Sequence, residues 1–504
     1  MLAGQFLVKT ATVHADIKRL AGKVGHKTGG GFPGASLESL RRLEGEGTGR
    51  RDHACQTTGQ RGILFRRLSQ GVEKTLNVFD LEREDVVHRR TPLNPRRRGH
   101  GAPRAEHQHT EAGGGTARIE RGALRIVDGR IASILEGDVQ GGEVISAHGL
   151  TAIPGLIDLH GDMLEREVEP RPRALFPVEL AMHELDKRLA ATGITTAYAA
   201  VGFAWRTSDL RTQEMATRII ETLHRIKHTL LTDCKIHARF EVNNPDTVPL
   251  LDGMLKRGLI DLVSIMDHTP GQGQYNDATR YVVFLKEWLG FTEEQLAPVY
   301  ARIEEKIEVI QAQPRDWTLA KAIIDTALAY DVHVASHDDD TVEKIETQAE
   351  MGVTIAEFPI NIESAKTAQA RGMHIIMGAP NAYRGGSNTG NMSAMDGIRA
   401  GVVDILASDY YPAAMLQTPF KLAREGVMPL PDAIRLVTAN PADACGLLHR
   451  GRIEVGCAAD IVLVEPGEEV KVRATLRNGE VIYSDAHGAR LWQALATDVQ
   501  LAGE

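Results

Sequence analysis

A histidine and a carboxylate two positions apart, His160 and Asp162, close the apolar run Ile153-Pro154-Gly155-Leu156-Ile157-Asp158-Leu159. In an extended strand, residues i and i+2 face the same side, so this pair can grip one cation together. Four more strand-like segments end in the same manner. His237-Ala-Arg-Phe-Glu241 offers Glu241, and Leu262-Val-Ser-Ile-Met-Asp267-His268 ends in Asp267 and His268. His333-Val-Ala-Ser-His337 ends in His337, and Ile405-Leu-Ala-Ser-Asp409 in Asp409. Any one of these residues alone is more often a satisfied polar group than a ligand. Five strands ending this way on one rim make a divalent-metal centre the better reading. Imidazole with carboxylate suits Zn²⁺ first, and also Mn, Fe or Ni, and a bridging carboxylate admits one ion or two. Asp409 has a second reading, as a general base that takes the proton of an attacking water.

Strands that deliver chemistry from their C-terminal ends are the mark of a parallel β/α barrel. Strand-like segments fall at 151–158, 193–200, 236–242, 260–267, 332–336, 353–358, 373–378 and 402–407, with amphipathic helices between them, among them 178–191, 210–230 and 340–351. Eight such strands favour a closed (β/α)8 barrel, here residues 151–444, over an open doubly wound sheet. Flanking it are short strands with hairpin turns, Asp128-Gly129 on one side and Asn478-Gly479 on the other. The two sets, 117–150 and 445–490, are expected to pair into one small β-sandwich built from both ends of the ordered chain. The connection 269–316 is long enough to carry an insertion over the barrel mouth.

The chain has 504 residues, 42% hydrophobic and 25% charged, in the range of globular proteins. It has no apolar stretch near the roughly 20 residues needed to cross a bilayer. Cys55, Cys234, Cys445 and Cys457 are scattered without a metal or disulfide spacing, and a cytoplasmic setting is expected. The net charge of −9 disfavours nucleic acid as a general partner. That charge is uneven. Residues 1–116 hold 20 Lys and Arg against 12 Asp and Glu, so the segment is near +8 and the remainder near −17. With Arg-Arg pairs, Pro95-Arg-Arg-Arg98 and Gly113-Gly-Gly115 but few apolar periodic runs, it reads as a low-order extension, loosely helical at most. Aromatics are not interleaved with its basic residues, so a non-native extension is the better reading than a nucleic-acid-binding arm.

The composite sandwich, the Pro154-Gly-Leu-Ile-Asp-Leu-His160 opening and the terminal Gly451-Arg-Ile-Glu-Val-Gly456-Cys-Ala-Ala-Asp460 together resemble the amidohydrolase superfamily. Within it, Met266-Asp-His-Thr-Pro-Gly-Gln272, Pro170-Arg-Pro172 and Gly378-Ala-Pro-Asn381 followed by Arg384-Gly-Gly-Ser387 resemble the PhnM-type diphosphatases of phosphonate catabolism. The resemblance spans about 117–490. It implies metal ligands at His160, Asp162, Glu241, His268 and His337, with Asp409 at the metal and beside the bound water. It also implies a substrate, α-D-ribose 1-methylphosphonate 5-triphosphate, from which pyrophosphate is released. The sequence departs from that pattern at Gly273, where an arginine is expected, at Asn388, where a histidine is, and at Gly161-Asp162-Met163.

A phosphorylated substrate needs cationic partners. Arg166, Arg171 and Arg173 follow the first strand, Arg206 the second, and Arg384 precedes Gly385-Gly386-Ser387. A backbone nest at 385–388 with the Arg384 guanidinium would hold phosphate oxygens, and Arg171 is a second candidate. For Arg166, pairing with Glu165, Glu167 or Glu169 on a solvated face is the better reading. The competing enzyme is a metal-dependent amidase or deaminase acting on a C–N bond, which needs few arginines at its mouth. A barrel that has lost its metals is disfavoured by the complete ligand set. Barrels of this kind often associate, so a homo-oligomer is one expectation for the assembly.

Overall fold

The computed structural model describes residues 74–79, 121–136, 143–147 and 149–490, apart from 172–173, 204–209, parts of 276–299, 313–314 and 388–390. Strands β1 (Lys74–Phe79), β2 (Arg121–Val127), β3 (Arg130–Glu136) and β4 (Glu143–Ala147) form one sheet, in the order β3-β2-β1-β4. The strand β5 (Thr151–Pro154) leads directly into the barrel. Its eight strands are β6 (Leu156–Gly161), β7 (Ile194–Phe203), β8 (Asp233–Glu241), β9 (Leu262–Met266), β10 (His333–His337), β11 (Ile355–Glu357), β12 (His374–Gly378) and β13 (Ile405–Ala407). They pair in parallel in sequential order, with helices between them. A third sheet joins β5 to β14 (Ile461–Glu465), β15 (Lys471–Arg477) and β16 (Glu480–Ser484).

The two four-stranded sheets share one apolar core. Leu124, Ile126, Ile131 and Ile145 from the first pack with Ile461, Leu463 and Leu476 from the second. Asp128-Gly129 and Asn478-Gly479 turn their hairpins with positive φ at both residues, 49° and 75° in one and 49° and 72° in the other, as the tight two-residue turn requires. Here the sequence reading needs two corrections. The segment read as low-order contributes β1, which runs antiparallel to β2 and parallel to β4, so the sheet recruits chain from well before residue 117. The run 151–158, read as one strand, is two: β5 belongs to the sandwich and β6 to the barrel.

Gly155 makes that division possible. Its N–H donates to Asp460 O at 2.8 Å, and a Cβ there would lie 2.3 Å from Thr195 Oγ1 and 3.0 Å from Asp460 Cβ. Gly155→Ala is therefore expected to destabilise the chain by about 1–3 kcal/mol through overpacking, read as a lowered urea midpoint at unchanged slope. An unchanged midpoint would show that the sandwich can move away from the barrel without cost.

Inside the barrel, Leu159, Tyr198, Leu262, Ala335, Ile355, Ile376 and Ile405 fill the axis and leave the polar residues above them, toward the strands' C-terminal ends. The seam between β6 and β13 is closed by the residues that end those strands. Asp409 N donates to His160 O at 2.9 Å, and Asp162 N to Asp409 O at 2.8 Å. Ser408 N donates to the buried Asp158 carboxylate at 2.9 Å. Among the described residues, no helix is long and apolar enough to cross a membrane.

Candidate metal centre

Three histidines, two on strands β6 and β10 and one just past β9, share one arrangement. His160 Nδ1 and His337 Nδ1 each lie 3.2 Å from a different oxygen of Glu357, and His268 Nδ1 lies 2.5 Å from Glu241 Oε1. Each ring is thus oriented by a buried carboxylate, and its Nε2 faces a second one. His160 Nε2 is 3.4 Å from Asp162 Oδ1, while His337 Nε2 and His268 Nε2 are 3.5 and 3.6 Å from Asp338 Oδ2. A carboxylate behind each imidazole is how metal-binding histidines are fixed in tautomer and direction. His268 Nε2 and Asp338 Oδ2 are buried without a hydrogen-bond partner. Such atoms carry a desolvation cost that a divalent ion would relieve. His160 with His337 and Glu357, and His268 with His337 and Asp338, each bring their ligand atoms within 4.8 Å of one another, with His337 common to both.

The electrostatics agree. Burial opposes protonation of His160, yet Glu357 and Asp162 outweigh it and push its pKa up to about 10. Burial likewise opposes protonation of His268, and Glu241 with Asp338 raise it to about 9. Imidazoles that attract protons this strongly face the concentrated negative charge that a divalent ion would meet in the proton's place. The residues present therefore fit a divalent metal.

Why the chain folds this way locally is legible in its backbone. The β6–β7 register shifts between Asp158 and Gly161, an irregularity of the kind that re-aims a side chain, and His160 lies in the barrel interior. Asp162 lies just past the strand, at the start of the helix Met163–Val168, where Arg239 Nη1 reaches its two oxygens at 2.9 and 3.0 Å. Asp338, Phe358 and Asp409, at or just past the ends of their strands, have φ of 50°, 53° and 52°. A non-glycine residue in that region costs about 1–3 kcal/mol and persists where its surroundings over-determine it, as they do at functional sites. Asp409 is half-buried, and desolvation followed by the charge of Asp162 raises its carboxyl to about 6.

The structure brings together His160, Asp162, Glu241, His268, His337 and Asp409, the six positions singled out from the sequence. It also resolves which neighbouring acids join them. Asp338 does. Asp267 accepts from Thr269 N at 3.2 Å and faces Arg315 at 3.8 Å, and Asp339 is bonded to Ser336 and Lys344.

Sequence reasoning missed Glu357, the most connected carboxylate of the site, which besides the two histidines accepts from Ser264 Oγ at 2.6 Å and lies 3.7 Å from His237 Nε2. His237 and Arg239 were missed as well. They share an alternating face with Glu241 on β8, so a period of two counted back from the acid that ends the strand was the signal for the other two residues. Burial holds His237 neutral, its pKa pushed down to about 3.

The anion-binding expectation fares differently. Arg384 ends the helix Ala379–Arg384, and its Nη1 bonds Tyr410 Oη at 3.1 Å, next to Asp409. The amides of Gly385 and Gly386, however, donate to Asn381 O at 3.0 and 3.2 Å and cap that helix, so they do not form the nest read from the glycines. Ser387 is half-buried beside them, and Asn388, Arg173 and Arg206 lie outside the described residues. Arg171 is exposed on the connection after Glu169. Glu165 pairs with Arg211, at 2.8 Å, and Glu167 with Arg188, rather than with the arginines nearest in sequence. Arg239, Arg211 and Arg315, with side chains 11%, 32% and 18% exposed, pair with Asp162, Glu165 and Asp340 respectively, and of these carboxylates Asp162 faces a histidine of the site.

Comparison with known proteins places this geometry in a family context. A model described as the amidohydrolase family matches residues 290–483. The chain is 34% identical over 359 residues to the alpha-D-ribose 1-methylphosphonate 5-triphosphate diphosphatase of Escherichia coli (strain K12), spanning 68% of this chain and 91% of that protein. Among solved structures, a Xaa-Pro dipeptidase with bound methionine in the active site superposes with a TM-score of 0.52 at 13% identity, over 82% of this chain and all of the other. A molinate hydrolase does so with a TM-score of 0.51 at 13% identity, over 82% of this chain and 95% of the other. These two likenesses concern the fold.

Proposed function

Because the chain belongs to the amidohydrolase superfamily and is a hydrolase, we propose that it releases pyrophosphate from α-D-ribose 1-methylphosphonate 5-triphosphate in phosphonate catabolism. The observation that carries this reading is the 34% identity to a diphosphatase named for that substrate, sustained over 91% of its length. The guanidinium groups of Arg211, Arg239, Arg315 and Arg384 support it, since a triphosphate needs several cations and an amide one or none.

His160, Asp162, Glu241, His268, His337 and Asp409 would hold one or two divalent ions, zinc being the first choice for such a donor set, with Asp338 and Glu357 beside them. The metal supplies Lewis-acid stabilisation of charge on phosphoryl oxygens. The protein's own groups do the rest. Arginines at the mouth neutralise and orient the triphosphate. Asp409 accepts a proton from the attacking water, whose oxygen bonds to the α-phosphorus as the α–β bridging P–O bond breaks. Pyrophosphate leaves with that bridging oxygen. The room that Asp409 needs exists because residue 378 is glycine: a Cβ there would stand 3.1 Å from Asp409 Oδ2.

The test couples metal analysis of wild-type protein and His337→Ala with a pyrophosphate-release assay on ribose triphosphates. Bound metal and pyrophosphate in the wild type, with both lost in the variant, is the expected result. Metal without pyrophosphate would overturn the diphosphatase reading and leave the amidase or deaminase in its place. No metal in either protein would overturn the metal-dependent mechanism.

A further inference from the structure

Lys344 is an unusual residue to find under a metal-competent loop. It lies in the first turn of the helix Val342–Glu350 that follows β10 and is 2% exposed. Its Nζ is 2.6 Å from His337 O, 3.3 Å from Asp338 O and 3.3 Å from Asp339 Oδ1. A lysine is rarely buried so completely unless it is paired. Here the pairing is to the two consecutive carbonyls on either side of the left-handed turn at Asp338.

Every carbonyl of this stretch is held. Lys344 takes those of His337 and Asp338, Ile360 N donates to Asp339 O at 3.0 Å, and Asn361 Nδ2 to Asp340 O at 2.9 Å. From the other side, Gly273 packs so closely that a Cβ on it would lie 3.2 Å from Asp338 O. The left-handed turn is what returns the Asp338 carboxylate toward His268 Nε2 and His337 Nε2. Without the ammonium between them, the two converging carbonyls would lose their buried donor, and the turn would lose the contact that ties its two sides together.

We infer that Lys344 is a positioning residue that clamps the His337 and Asp338 carbonyls and so sets the affinity of the His268–His337–Asp338 group for a divalent ion. This rests on the metal reading above. Lys344 touches neither metal nor substrate, and its effect passes through the direction of the Asp338 carboxylate.

Lys344→Met alone would leave the buried Asp339 unpaired and could unfold the chain for that reason. The informative variant is the full-length double variant Lys344→Met/Asp339→Asn, which removes both charges, with Asp339→Asn alone as the partner that keeps the clamp. Zinc affinity is measured by competition with a chromogenic chelator, alongside thermal unfolding of the metal-free proteins. The expected result is a double variant that melts near the wild type but binds zinc about 10- to 100-fold more weakly, the effect usual for groups that orient metal ligands. Asp339→Asn should bind as the wild type does. A folded double variant with wild-type affinity overturns the inference. So does Asp339→Asn, which keeps the clamp, losing zinc affinity by about 10-fold or more, a readout that stands even where the double variant unfolds. Wild-type protein that takes up neither zinc nor manganese overturns the metal reading itself, a failure distinct from the other two.

Discussion

Asp409→Asn is expected to lower hydrolysis by about 10²- to 10⁴-fold, the range over which a positioned acid or base contributes. Asparagine is the right probe because it tolerates the left-handed backbone of this position, φ 52°, and preserves the Asp409 N–H and C=O that join β13 to β6. What it removes is the ability to take a proton. Burial, and then the negative charge of Asp162, lift this carboxyl to about 6, closer to neutrality than an ordinary aspartate and so better matched to accepting a proton from water. Rate and metal content should be measured on the same preparations. A rate loss with metal retained assigns the proton transfer. A parallel loss of both would reassign Asp409 as chiefly a ligand, and an unaltered rate would remove it from the mechanism.

Glu357→Ala is expected to be the most destabilising single change at the site. Glu357 is fully buried and sits among His160, His337, His237 and Ser264. Burial disfavours its charge, but these neighbours outweigh that cost and hold its carboxyl well below the usual range. Truncation strands the Nδ1 atoms of His160 and His337, leaves Ser264 Oγ with His237 as its remaining partner, and opens a cavity in the barrel interior. Breaking a buried charged pair by deleting one member costs about 3–5 kcal/mol, and the loss of volume adds to it. The urea midpoint should fall accordingly, and zinc binding should fail because His160 and His337 lose the group that orients both. Glu357→Gln, which keeps the volume and two hydrogen-bonding atoms, should fall between the two. If Glu357→Ala unfolds with the wild-type midpoint, the histidines are held by the packing of their strands rather than by this carboxylate.

What could be read from the sequence follows from how local each signal is. An apolar strand that ends in His160 and Asp162, or in His337, announces itself within a few residues, because period-two burial and a polar terminus are both short-range features. The hairpins at Asp128-Gly129 and Asn478-Gly479 are equally local, which is why the two-ended sandwich was legible. Helix Val178–Ala191 has the bounds its apolar periodicity predicts. By contrast, β1 depends on pairing with partners more than forty residues away, and the six residues Lys74–Phe79 are too short a run to announce a strand within a segment of few apolar periodic runs.

The sequence by itself determined the class of site: imidazoles and carboxylates at the ends of parallel strands, which is to say a candidate divalent-metal centre in a β/α barrel, with the hydrolase implied by the resemblance of its motifs to the amidohydrolases. Only the tertiary structure decided which of those groups meet. Glu357 became the hub because the closed barrel turns the inner face of β11 toward β6, β8 and β10 at once. Asp338 joined the histidines, and Asp267 did not, because a left-handed turn clamped by Lys344 reverses one carboxylate's direction. The Gly385 and Gly386 amides were committed to ending a helix before any anion could use them. Residue type and spacing fix what a side chain can do. Where its atoms point is set by backbone dihedrals and by partners far away in the chain, and a metal site is made of directions.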